Sequence, residues 1–178
     1  MTDGNEALWQ RCVAFHGHYC GGLDIGFKAA LLAAEILGAS FSADEELVCI
    51  AENDACGIDA IQVALGCSIG KGNLLFHMTG KHVYSFYDRR TGRSVRLSLK
   101  NMPEGFTRDK GYEYYHDRAP ESMFDVGAVK LSLPKNAVRF HPHRCEVCGE
   151  DVAENHVRIQ DGKEVCTDCF DDYKRFGV

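Results

Sequence analysis

The sequence predicts an α+β protein: a mixed or antiparallel sheet packed with helices over residues 1–133, a linker at 134–143, and a small four-cysteine module, zinc-ribbon or treble-clef-like, at 144–178. Three observations carry this. One helical apolar face runs through Leu23, Phe27, Ala30, Leu31, Ala34 and Leu37. Short apolar runs separated by turn residues follow it, and two CxxC pairs stand near the C-terminus. A chain of 178 residues is long enough for one packed domain with an appendage.

Asp3 and Glu6 open a first helix, whose Leu8, Cys12 and Phe15 at i, i+4, i+7 form an apolar stripe. The second helix has Asp24 and Lys28 as an i, i+4 pair on another face and Gly38 as its stop. Residues 47–51 are continuously apolar, which predicts a buried strand leading into the acidic Glu52-Asn53-Asp54. Residues 56–66 predict a third helix with Ile58, Ile61 and Leu65 on its core side. Residues 74–78, 82–87 and 95–99, separated by turns at Thr79-Gly80-Lys81 and Arg90-Thr91-Gly92, predict an antiparallel meander with His77 and His82 facing solvent. Residues 104–118 read as a polar helix, in which Tyr114 or Tyr115 either lines a substrate pocket or packs. Val126, Val129, Leu131 and Leu133 make one more short apolar element.

The composition, 45% hydrophobic and 26% charged, is that of an ordered globular protein. Its apolar stretch around Leu31 to Leu37 falls far short of the ~20 residues that span a bilayer. The N-terminus lacks the basic start of a signal peptide, so a cytoplasmic location without a membrane partner is expected. There, nine cysteines read as metal ligands or reactive thiols rather than disulfides. A net charge of -6 argues against a nucleic-acid partner.

The segment Phe15-His16-Gly17-His18-Tyr19-Cys20-Gly21-Gly22 concentrates the chemistry. His16 and His18 alternate, so in an extended segment both rings leave the same side as the Cys20 thiol. Imidazole and thiolate suit zinc and the later first-row metals. Any one of the three is more simply a solvated turn residue or a buried thiol, but the cluster beside glycines points to a metal. Cys56, at the entry of the third helix, is the expected partner from elsewhere. Cys67 is more than ~12 Å from Cys56 if the intervening residues are helical at ~1.5 Å per residue. It is therefore a pocket thiol, a core residue, or a ligand reached from another subunit. Residues 66–73 are glycine-rich but lack the spacing of a phosphate loop; an anion nest with Lys71 and a plain turn stand level.

In the appendage, Cys145, Cys148, Cys166 and Cys169 form two CxxC knuckles with seventeen residues between Cys148 and Cys166, the spacing of a closed structural zinc site. Its histidines, His141 and His143, read as exposed linker residues. From Arg144 onward nine acids face five bases, so this module is expected to bind protein, such as its own dimer mate, rather than nucleic acid.

Phe15-His16-Gly17-His18-x-Cys20, Cys56-x-x-Asp59-Ala60-Ile61-Gln62 and Gly66-Cys67-Ser68-x-Gly70-Lys71-Gly72-Asn73-Leu74 together resemble the FmdE family, named after a component of formylmethanofuran dehydrogenase. The four-cysteine tail looks like the zinc-finger tail of some members. The family pattern has Pro after the knot cysteine where this chain has Gly21, which should loosen the turn. The resemblance implies a dimerising α+β core with a cleft where the knot meets the later cysteines. It also implies a link to one-carbon metabolism and to the other chains of molybdenum or tungsten enzymes, although no motif here reads as carrying a pterin or an iron–sulfur cluster.

The reading expected from these features is a homodimeric metalloprotein. His18, Cys20 and Cys56, helped by His16, bind zinc or another transition metal with a position open to a small molecule, and a structural zinc sits in the tail. Were it an enzyme, Glu52 or Asp54 would carry protons, Lys71 would receive an anionic group, and Cys56 or Cys67 would be the reactive thiol. The rivals are a metal- or sulfur-handling accessory protein and a thiol redox protein.

Overall fold

A computed structural model describes residues 3–102, 107 and 111–175. The chain divides into two compact units, Met1–Ala137 and Val138–Val178. In the first, helix α1 (Asp3–His16) precedes α2 (Gly21–Leu37), and α2 is the element everything else packs on. Burial runs almost all round α2 because it is apolar on two faces. Ile25, Ala29, Leu32 and Ala33 meet the sheet, while Leu23 and Phe27 meet Trp9 and Cys12 of α1. The helix stops at Gly38, whose φ of 61° ordinary residues avoid. The Arg93 guanidinium donates to the Leu37 and Ile36 carbonyls, covering acceptors that a helix end leaves open.

Helix α3 (Gly57–Leu65) meets α2 backbone to backbone. A Cβ added to Gly26 would stand 1.9 Å from the Gly57 carbonyl oxygen, so no side chain fits between them. The sheet has the order β2 (Leu74–Phe76), β1 (Leu47–Ala51), β3 (Val83–Asp88), β4 (Ser94–Leu99), β5 (Phe124–Gly127). Strands β1 and β2 run parallel, Cys49 opposite Leu74, and the other neighbours are antiparallel. Parallel neighbours need a crossover, and α3 supplies it. Leu47, Cys49 and Ala51 of β1 face the helices. Val48 and Ile50 face the opposite side with Tyr87, where Val129 and Leu131 cover them.

The mixed sheet is as expected, but the meander is not. β2 joins β1 rather than forming a hairpin with β3, so only the β3–β4 hairpin stands. Phe15 is 59% exposed, and Trp9 takes its place in the core of α1. Asp24 and Lys28, expected as an i, i+4 pair on another face of α2, are both buried. Lys28 Nζ donates to the His116 carbonyl at 2.7 Å, and Asp24 Oδ1 pairs with His116 Nδ1 at 3.1 Å. Both fasten α4 (Gly111–His116) to α2. Of the helix expected at 104–118, residues 104–106 and 108–110 lie outside the described residues. The short helix α5 (Pro120–Met123) leads into β5.

The second unit pairs β6 (Pro142–Arg144) with β7 (Asp151–Ala153) and β8 (Val157–Gln160) with β9 (Lys163–Cys166), all antiparallel. Among the described residues, no helix is long and apolar enough to cross a membrane.

Two outcomes follow from this packing. Gly26→Ala should force α2 and α3 apart and cost about 2 to 3 kcal/mol in urea unfolding; an unchanged midpoint would contradict the contact. Burial pushes the Asp24 carboxyl up from 3.8 to about 6 against the opposing pull of His116. A raised folded-state pKa means the native state holds its proton longer, so this contribution is present at low pH and lost as pH rises through that window. Relative to Asp24→Asn, the wild type should lose about 2 kcal/mol between pH 4 and pH 7. Parallel urea titrations of the two proteins would check the slope.

Candidate metal centre

The first cluster forms where α1 ends and α2 and α3 begin. Helix α1 runs through His16 and closes with the Gly17 N–H on the Val13 carbonyl; Gly17 then turns the chain with φ at 91°. This places the His16 ring against the Cys20 thiol, Nε2 to Sγ 3.9 Å. Cys20 is the N-cap of α2 and its sulfur accepts the Leu23 N–H at 3.4 Å. Cys56 is the N-cap of α3. His16, Cys20 and Cys56 can each place a ligand atom within 4.8 Å of the others, and all three are partly exposed. That spread suits one ion, since tetrahedral bonds of ~2.0 to 2.3 Å put ligand atoms about 3.5 to 3.8 Å apart.

Asp59, one turn into α3, accepts from His16 Nδ1 at 2.7 Å, and Gln62 donates to the same carboxylate. Such a carboxylate fixes the tautomer, leaving Nε2 to act as the ligand. Burial, and then the neighbouring Cys20 thiol, push the Cys56 thiol above its ordinary value. A cation at the cluster would reverse that balance by favouring both thiolates.

A pocket of about 500 Å³ opens beside the two thiols, lined by Ile25, Ala55, His82, Met102 and Tyr115 among others. A second groove of about 400 Å³ takes in His16, Cys56, Asp54 and Asp59. The cluster therefore has hollows on two sides.

In the second unit, each CxxC folds back on itself: the Gly149 N–H reaches the Cys145 carbonyl, and the Phe170 N–H the Cys166 carbonyl. The four thiols thereby come within 4.8 Å of one another. Backbone N–H donors, that of Cys148 first, hold the Cys145 thiol down to about 6, while the Cys166 thiol pushes Cys169 up to about 12. Crowded thiols of this kind ionise together only around a cation, and four of them match a closed zinc site. His143 pairs with Glu164 at 2.8 Å and His141 is exposed, so neither histidine belongs to this set.

Residues 15–127 match the model of FmdE, described as the molybdenum formylmethanofuran dehydrogenase operon family. The chain belongs to the FmdE family. Residues 141–175 match the prokaryotic dksA/traR C4-type zinc finger, so the FmdE chain carries a structural zinc module at its end. Over 93% of its length it is 27% identical to a probable S-adenosyl-L-methionine-binding protein of Archaeoglobus fulgidus. The chain spans only 53% of that relative. Its fold is similar to the crystal structure of a tungsten formylmethanofuran dehydrogenase FmdE-like protein from Syntrophus aciditrophicus, with a TM-score of 0.67, 22% identity, and coverage of 93% and 91% of the two chains.

Several expected site residues of this FmdE chain sit elsewhere. His18 is exposed, its ring tilted against that of His16 with centroids 4.5 Å apart, and it is His16 rather than His18 that comes together with Cys20 and Cys56. Cys67 is fully buried, its thiol facing the Leu47 carbonyl at 3.5 Å and pushed up to about 12 by burial. Of the roles open to it, the core residue is the one observed, and a thiol so held is no nucleophile. Glu52 is buried in an ion pair with Arg96 at 2.9 Å and accepts from Thr79 at 2.8 Å. Burial alone would raise its carboxyl, but these partners outweigh it and hold the group ionised. Glu52 therefore braces a loop rather than carrying protons, and Asp54 remains as the exposed carboxylate of the groove.

Lys71 is engaged by its own surroundings, since its ammonium donates to the Ser42 and Ala43 carbonyls and stands over Phe41. Its glycine-rich loop is a turn closed by Asn73, which is fully buried and bonds Leu47, Asp44, Gly66 and Ser68. Asp59, bonded to His16, and His82, on the pocket wall, are not among the site residues expected from the sequence. Asp59 was visible in Cys56-x-x-Asp59, whose spacing puts it one helical turn past the cysteine.

Cys166→Ala with Cys169→Ala should remove one zinc per chain and collapse the amide NMR signals of residues 144–170 to random-coil positions. Retention of that zinc would refute the four-thiol site.

Proposed function

We propose that this chain is a metal-dependent small-molecule-binding protein in which His16 Nε2, Cys20 Sγ and Cys56 Sγ hold zinc or a similar transition-metal ion. The observation that carries this is the meeting of three ligand atoms from three elements, with Cys20 and Cys56 on the wall of a 500 Å³ pocket and His16 behind them in the adjoining groove. Three protein ligands leave a fourth position for water or a ligand, the mark of a working rather than a structural site. Two thiolates and a neutral imidazole cancel the charge of a divalent ion, which suits a partly dry setting.

When bound, the ion supplies Lewis acidity at its open position. The chain's own residues do the rest. Asp59 holds His16 in one tautomer, Gly21 and Gly22 keep the approach to the thiols clear of side chains, and Asp54 offers an exposed carboxylate for proton relay. The clamp of Asp59 on His16 supports a resident ion over one in transit, because an oriented ligand slows release. It likewise supports metal binding over a Cys20–Cys56 dithiol couple, which needs no third ligand.

Elemental analysis of the purified chain should find two transition-metal ions, and Cys20→Ser with Cys56→Ser should leave one. Asp59→Asn should weaken the cleft ion roughly ten- to a hundred-fold in chelator competition while the tail zinc is unaffected. A wild-type chain holding one ion would end this reading.

A further inference from the structure

His82 lines the pocket beside Cys20 and Cys56 and has no role so far. Its backbone is tightly held. The Glu52 carbonyl accepts the N–H groups of Thr79, Gly80 and Lys81, Asn53 donates to the Lys81 carbonyl at 2.8 Å, and the His82 carbonyl accepts from Leu99 at 2.9 Å. The ring is half-buried, and among the described residues its Nδ1 is shut off from solvent with no hydrogen-bond partner. The edge left to face the pocket therefore carries Nε2.

We propose that His82 presents a neutral Nε2–H donor to this pocket, and that the pocket takes an uncharged molecule whose carbonyl oxygen accepts that hydrogen bond. This rests on the pocket being the ligand chamber of the metal centre proposed above. The choice of tautomer follows from Nδ1. An orphaned buried N–H is rarer and costlier than an orphaned acceptor, so the single proton of the neutral ring belongs on Nε2. An imidazolium would place a second, unpaired N–H on Nδ1, and burial accordingly pushes the His82 pKa down.

The class of ligand follows from the rest of the wall. Ile25, Ala55 and Met102 give an apolar bed, and no Asp, Glu, Lys or Arg lines the pocket among the described residues. Among the described residues a charged group would find no side-chain counter-charge there, whereas a carbonyl oxygen needs a donor and little else. A neutral donor held by a braced loop acts without reorganising as charge builds on the oxygen. Glu52, with its partners Arg96 and Thr79, thus acts on the ligand only through the loop that carries His82, as a positioning residue.

The probes are cyclohexanone and, for charge, cyclohexanecarboxylate, titrated into the full-length zinc-loaded chain and followed by nitrogen-15 NMR of the histidine rings. Cyclohexanone should shift the His82 Nε2 resonance, the ring should show the Nε2–H tautomer, and the ketone should bind more tightly than the carboxylate. His82→Leu should weaken cyclohexanone about ten-fold, and His82→Gln, which keeps an N–H donor, should recover part of the loss. Both variants should keep the metal content of the wild type. An Nδ1–H tautomer, an unmoved His82 resonance, preference for the carboxylate, or a His82→Leu affinity within two-fold of wild type would each overturn the proposal. Metal content measured on the same samples separates the two readings: one ion per wild-type chain overturns the metal centre, while two ions with unaltered binding in His82→Leu overturns the role of His82 alone.

Discussion

At the crossing of α2 and α3, Gly26 and Gly57 put two backbones in direct contact, and the geometry of the cleft follows from how close this brings the two helix starts. Cys20 caps one start and Cys56 the other, so the crossing that packs the core also juxtaposes the thiols. Gly22 belongs to the same arrangement: a Cβ there would stand 3.2 Å from the Cys56 Cβ and push the second cysteine away. Free N–H groups and the dipole at a helix start favour negative charge, so two starts facing one point make a good cradle for thiolates. The cysteines supply the chemistry, but the glycines supply the distance.

The nine cysteines sort by surroundings rather than by spacing alone. Cys12, Cys49 and Cys67 are buried among apolar side chains, where burial pushes their thiols up and makes them small hydrophobes. Cys20 and Cys56 sit half-exposed beside a histidine, and the four of the tail crowd one another. Only the last two groups can gain from a cation.

Local signals in the sequence carried far, and non-local ones did not. Helices α2 and α3, strand β1 and the paired knuckles were legible because each is written locally, by period, cap or spacing. The parallel pairing of β1 with β2 was not, because two short apolar runs around a glycine turn look like a hairpin whichever neighbour each finds. His16 rather than His18 joins Cys20 and Cys56 because helix α1 continues through His16, which replaces an assumed alternation with an i, i+4 relation to Cys20. Burial of Asp24 and Lys28 was hidden because their partner, His116, is 92 residues away from Asp24 in the chain. His82 carries no motif at all; only the wall it shares with Cys20 and Cys56 marks it.

Position 21 shows the same dependence on distant chain. Gly21, where the family pattern has Pro, was expected to loosen the turn after Cys20; instead a Cβ there would lie 2.6 Å from the backbone of Gly111 at the start of α4. The constraint is one-sided, since a Cβ added to Gly111 would stand 3.7 Å from the Gly21 Cα, an ordinary contact. A side chain at Gly21 would press on α4, which also brings Tyr115 to the pocket wall. The space of the pocket is thus tied to a residue without a side chain and to a helix start ninety residues away in sequence, and enlarging position 21 must move that helix. The width of the pocket can therefore change through position 21 while His16, Cys20 and Cys56 stay the same.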